Sequence, residues 1–73
     1  MSPEYASSSG EAGEVALACT LAATSYLEHP GDDERAARSI AARLGWSSER
    51  ARWCIAVNRE RVDQLVEEMR AHG

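Results

Sequence analysis

Between Glu14 and His72 the chain carries helix-breaking residues at only two places, Pro30-Gly31 and Gly45. The stretches they delimit are rich in Ala, Leu, Arg and Glu and repeat their apolar residues every three or four positions, the spacing of a helix with one buried side. This pattern predicts an all-α fold of three to four helices. At 73 residues the chain holds one small domain and no second one.

The breaks set the boundaries. Residues 1–10 hold a proline, a glycine and four serines with no periodicity, which predicts a disordered tail ahead of a single helical domain over 11–73. The first helix spans Glu11 to Glu28, with Val15, Ala18, Cys19, Ala22 and Tyr26 on one side and Leu17 and Leu21 on the other. His29-Pro30-Gly31-Asp32 ends it, because proline disfavours helix in the residue before it. Asp32 or Asp33 caps a second helix whose inner positions are Ala36, Ala37, Ile40, Ala41 and Leu44. Gly45 stops that helix, and Ser47 or Ser48 caps a third.

From Ser48 to His72 there is neither Gly nor Pro. The stripe Ala51, Cys54/Ile55, Asn58, Val62, Leu65/Val66, Met69 stays in phase throughout, favouring one long C-terminal helix over two helices broken near Val57-Asn58.

The core implied by this pattern is thin. Leu, Ile and Val total 11, Phe is absent, and 13 alanines supply much of the apolar content, so a lone monomer is expected to be marginal. The stripe through Val62, Leu65, Val66 and Met69 offers more apolar surface than an 18-residue first helix covers. Asn58 resembles the polar interruption that fixes register between paired helices. A homodimer through the C-terminal half of the long helix is therefore expected.

Cys19 and Cys54, 35 residues apart among apolar neighbours, read as buried free thiols. The first ten residues do not resemble a signal peptide. Val15–Leu27 is too short and too rich in hydroxyls to cross a bilayer, so a cytoplasmic protein without membrane contact is expected. The net charge of -4 conceals an asymmetry: residues 35–61 hold seven Arg against Glu49 and Glu60, and are +5. His29 and His72 stand apart from any acid or thiol cluster. No nucleophile with a base, acid pair, metal set or cofactor motif occurs, and no catalytic activity, metal or cofactor is expected.

Ser39-Ile40-Ala41-Ala42-Arg43-Leu44-Gly45-Trp46-Ser47-Ser48-Glu49-Arg50-Ala51 resembles a helix-turn-helix. In such a unit a small Ala41 lets the next helix cross, Gly45 takes a left-handed turn, and Ile40, Leu44 and Trp46 fill the corner. Tyr26-Leu27-Glu28-His29-Pro30-Gly31 looks like the end of the first helix of winged-helix repressors, and Ser48-Glu49-Arg50-Ala51-Arg52 is similar to the start of the second helix in the promoter-reading domain of sigma factors. Residues about 33–57 would form the unit, without a β-hairpin wing. The resemblance implies a small non-catalytic regulator of transcription that binds double-stranded DNA as a dimer. Ser47, Ser48, Arg50 and Arg52 would face the major groove, and Arg38, Arg43 and Arg59 would meet phosphates.

The helical wheel supplies a rival. With the stripe through Ala51 turned inward, Glu49, Arg52, Trp53, Ala56 and Glu60 point outward or nearly so. Either Trp53 and Val57 widen the apolar side and meet the first helix, or they stay outside. Exposed, they mark a protein-protein interaction module, an adaptor or small inhibitor, with Trp53, Val57 and Ala56 as its contact.

Overall fold

A computed structural model describes residues 3–72 of the chain, with side chains from Gly13 to His72. It contains four helices, α1 (Pro3–Glu28), α2 (Asp33–Leu44), α3 (Ser48–Val57) and α4 (Arg59–His72), and no strand among the described residues. The fold is all-α. α1 is the spine against which each of the other three packs.

α1 begins earlier than the composition of residues 1–10 suggests. Its backbone is helical from Pro3, a residue that suits a first helical turn because its missing N–H has no partner there in any case. Met1 and Ser2, the start of the expected tail, lie outside the described residues. The buried side of α1 is made of small groups, Ala18, Cys19, Ala22, Ala23 and Ser25, with Tyr26 at its end. Thr20 and Thr24 turn their hydroxyls back on the helix, donating to the carbonyls of Ala16 and Thr20 at 3.1 and 2.9 Å. Gly31 then takes φ +80° in the turn to α2.

α2 starts where its acids predict. Asp32 is the N-cap, its side chain accepting the Arg35 amide at 3.1 Å, with Asp33 and Glu34 in the first turn, where the helix dipole favours negative charge. Gly45 ends it in the left-handed region at φ +71°, its amide donating to Ala41 O at 2.9 Å. A three-residue turn, Gly45 to Ser47, leads into α3 and buries Trp46 in the corner. Ser47 caps α3, accepting the Arg50 amide at 3.1 Å. α2 contributes Ala36, Ala37 and Ile40 to the core, and α3 contributes Ala51, Cys54 and Ile55.

The long C-terminal helix is interrupted. Asn58 closes α3, with its backbone N–H and its side-chain Nδ2 both donating to Cys54 O, at 3.0 and 2.9 Å. A side chain that bonds its own backbone in this way competes with helix propagation, and α4 begins one residue later. The expected polar register residue is thus a C-cap.

α4 returns along α1 and buries Val62 completely, while Leu65, Val66 and Met69 pack half-buried against the same core. Part of the surface expected to pair two copies is thus taken up within the chain, where α4 lies along α1.

Candidate functional site

The outward side of α3 and the residues flanking it form the candidate site. Trp53 is 67% exposed and Val57 60% exposed, while Ala51, Cys54 and Ile55 are buried on the inner side of the same ten-residue helix. Of the two placements open to Trp53, the outer one is found. Trp53 and Val57 stand one turn apart, and Glu49, Arg50, Arg52, Ala56 and Glu60 around them are all exposed.

The arginines nominated for DNA are largely engaged within the chain. Arg50 lays its guanidinium on the Trp46 ring, 4.0 Å from the centroid. Arg52 pairs with Glu34 of α2 at 3.6 Å. Arg59 donates to Asp33 Oδ1 and to the Tyr26 hydroxyl, both at 3.2 Å, lies 5.3 Å from the Tyr26 ring centroid, and reaches Asp63 at 3.9 Å. Instead of waiting for a phosphate, Arg59 joins α1, α2 and α4. Arg38 and Arg43 are exposed on α2 and make no ion pair among the described residues. Arg38, Ser48 and Arg52 do come together, lining with Glu34, Ala37 and Ala41 a small cleft of about 100 Å³ between α2 and α3. Ser47 is exposed at the head of α3 with its hydroxyl occupied as the cap.

Comparison with known protein families, characterised proteins and solved structures finds no match.

Two further groupings were not visible in the sequence. Tyr26, Asp33 and Arg59 form a clasp in which burial, and then the bond to Asp33, push the phenol up to about 12. The bond from Tyr26, joined by that from Arg59, holds the Asp33 carboxyl below its ordinary value. Tyr26 and Asp33 are seven positions apart but on opposite sides of the Pro30-Gly31 break, and Arg59 stands 33 and 26 positions from them, so only the tertiary fold reveals the cluster. The second is a depression of about 400 Å³ lined by Val57, Asn58, Glu60, Arg61 and Gln64 where α3 meets α4. It lies at the break that the unbroken phase of the stripe concealed.

The thiols of Cys19 and Cys54 are free and buried. Burial pushes both up, Cys19 further raised by its neighbour Cys54, whereas the Asn58 amide acts in the opposite direction on Cys54. Such thiols are weak nucleophiles. Among the described residues no three His, Cys, Asp or Glu side chains come together in a group that could hold a metal ion. No helix among them is long and apolar enough to cross a membrane.

Proposed function

We propose that this chain is a non-catalytic helical protein-protein interaction module whose anchor is Trp53. The observation that carries the reading is the exposure of Trp53 beside Val57 on a helix whose inner side is already fully packed. A large ring left in water gains most when a partner desolvates it, and aromatic anchors dominate the energetics of protein interfaces. The polar frame of Glu49, Arg50, Arg52 and Glu60 suits the solvent-accessible rim of such a contact. Recognition helices that read base edges usually present polar side chains there instead.

The test is selection from a displayed peptide library against the full chain. Selected peptides are expected to bind the parent and to lose about thirtyfold or more of their affinity with Trp53→Ala, matching a hot spot of about 2 kcal/mol. Peptides that bind Trp53→Ala as well as they bind the parent would remove Trp53 as the anchor.

A second reading, a DNA-binding regulator, draws support from one observation, the meeting of Arg38, Ser48 and Arg52 at the cleft between α2 and α3. It requires salt-sensitive affinity for duplex DNA. With about four to six phosphate contacts, the slope of log affinity against log salt is about -4 to -5. A filter-binding titration at two salt concentrations that detects no complex at low salt sinks this reading.

A further inference from the structure

We infer that the face carrying Arg50, Trp53, Val57, Glu60 and Gln64 pairs antiparallel with the same face of a second copy of this chain. The inference rests on the reading of Trp53 as a protein anchor and names the partner it takes.

The five residues are separated by three, four, three and four positions, the spacing of a seam between two paired helices, and all five are exposed. The depression shared by Val57, Glu60, Arg61 and Gln64 carries that seam across the Asn58 break, so these α4 residues share a face with Val57. At its centre stand the two most exposed large apolar side chains of the described residues, Trp53 and Val57. The other apolar stripe, through Val62, Leu65, Val66 and Met69, already packs on the core, Val62 completely and the other three in part.

Charge selects the occupant and its direction. Placing a two-fold axis beside the turn that holds Ile55 sets Trp53 of each copy against Val57 of the second copy. The same operation sets Arg50 against Glu60 and Glu49 against Arg61, opposite charges at both levels, each pair occurring twice. A parallel arrangement would instead put Arg50 on Arg50 and Glu60 on Glu60, with repulsion at both ends. A uniformly charged partner leaves half of this alternating frame without a counter-charge, and an uncharged one leaves all of it so. The domain also has reason to gain from pairing, because six of the thirteen buried apolar side chains among the described residues are alanines.

Sedimentation velocity of the full chain, from a few micromolar to several hundred micromolar, tests this directly. The expected result is a concentration-dependent shift from the 7.9 kDa monomer to twice that mass. Trp53→Ala is expected to raise the dissociation constant about thirtyfold or more, since each dimer loses the ring twice. Arg50→Glu and Glu60→Arg alone should each weaken the dimer, and the double reversal should recover it. Because Arg50 also rests on Trp46, the cycle Glu49→Arg with Arg61→Glu repeats the test without that contact, and thermal melts of every variant report folding separately. A monomer at all concentrations, or a dimer that ignores both cycles, overturns the inference. A monomer that still selects Trp53-dependent peptides overturns self-pairing alone, while one that selects none removes the protein-anchor reading too.

Discussion

The Tyr26 hydroxyl donates to Oδ1 of Asp33 at 2.5 Å, tying the last turns of α1 to the first turn of α2 across the Pro30-Gly31 turn. Arg59 closes the clasp from α4. Three helices thus meet at one partly buried polar point.

Alkaline pH should loosen this clasp. Below about pH 10 the phenol keeps its proton whether the chain is folded or unfolded, and its stabilisation is fully present. As pH rises from about 10 the unfolded chain gives up the proton first, because the folded phenol holds it to about 12, and stability falls across that window. Tyr26→Phe is expected to cost about 0.5–1.5 kcal/mol at pH 7. In urea titrations between pH 7 and 12 the gap between parent and variant should close above about pH 10. A gap that stays constant to pH 12 would show that the phenol does not hold its proton this way. Asp33 acts at the opposite end, its contribution being lost as pH falls through its lowered value.

The two tryptophans should separate cleanly. Trp46 fills the corner between α2 and α3 and is buried, so Trp46→Ala is expected to cost about 3–5 kcal/mol. Trp53→Ala removes an exposed ring and should shift stability by no more than about 0.5 kcal/mol when melted at low protein concentration. Equal losses from the two would place Trp53 in the core.

Gly45 takes φ +71° with open space where a Cβ would stand. Gly45→Ala therefore meets no clash and bears only the backbone cost, about 1–2 kcal/mol, measurable in chemical denaturation. A neutral substitution would mean that the turn relaxes out of the left-handed region.

Leu65→Asp distinguishes the packing of α4 from an interface on it. Leu65 is half-buried against the core, so a carboxylate there should destabilise the monomer itself by about 1–3 kcal/mol, at every protein concentration. A variant that melted like the parent, yet sedimented as a monomer where the parent dimerised, would restore α4 as the contact between copies.

What could be read from the sequence was local. Asp32, Gly45 and Ser47 are residues whose chemistry alone ends or starts a helix, and α2 lies where they place it. The break at Asn58 was concealed because a one-residue interruption leaves Ala51, Cys54, Ile55 and Val62 in the same phase, so periodicity reports an unbroken stripe. The serines and glycine of residues 1–10 read as a tail by composition, whereas the backbone is helical from Pro3. The side of Trp53 stayed open in the sequence, because the wheel pointed outward and the general preference of tryptophan for burial pointed inward; its neighbours on α3, already packed inward, decide it. The clasp of Arg59 was unreadable for a different reason, since Asp33 and Tyr26 are 26 and 33 positions away and no local rule links them to it.

The alanines lining α1 and α2 invert the usual vulnerability of a small domain. Ala18, Ala22, Ala23 and Ala36 are fully buried and Ala37 nearly so. An alanine brings no rotamers to freeze, so close contact between these helices forms without side-chain entropy loss, and it leaves little volume to delete. Additions are another matter, since a methylene group inserted between closely approaching backbones must push whole helices apart. Hollowing out threatens this interior at Trp46 and Ile40, whereas along the contact of α1 with α2 the damage comes from filling.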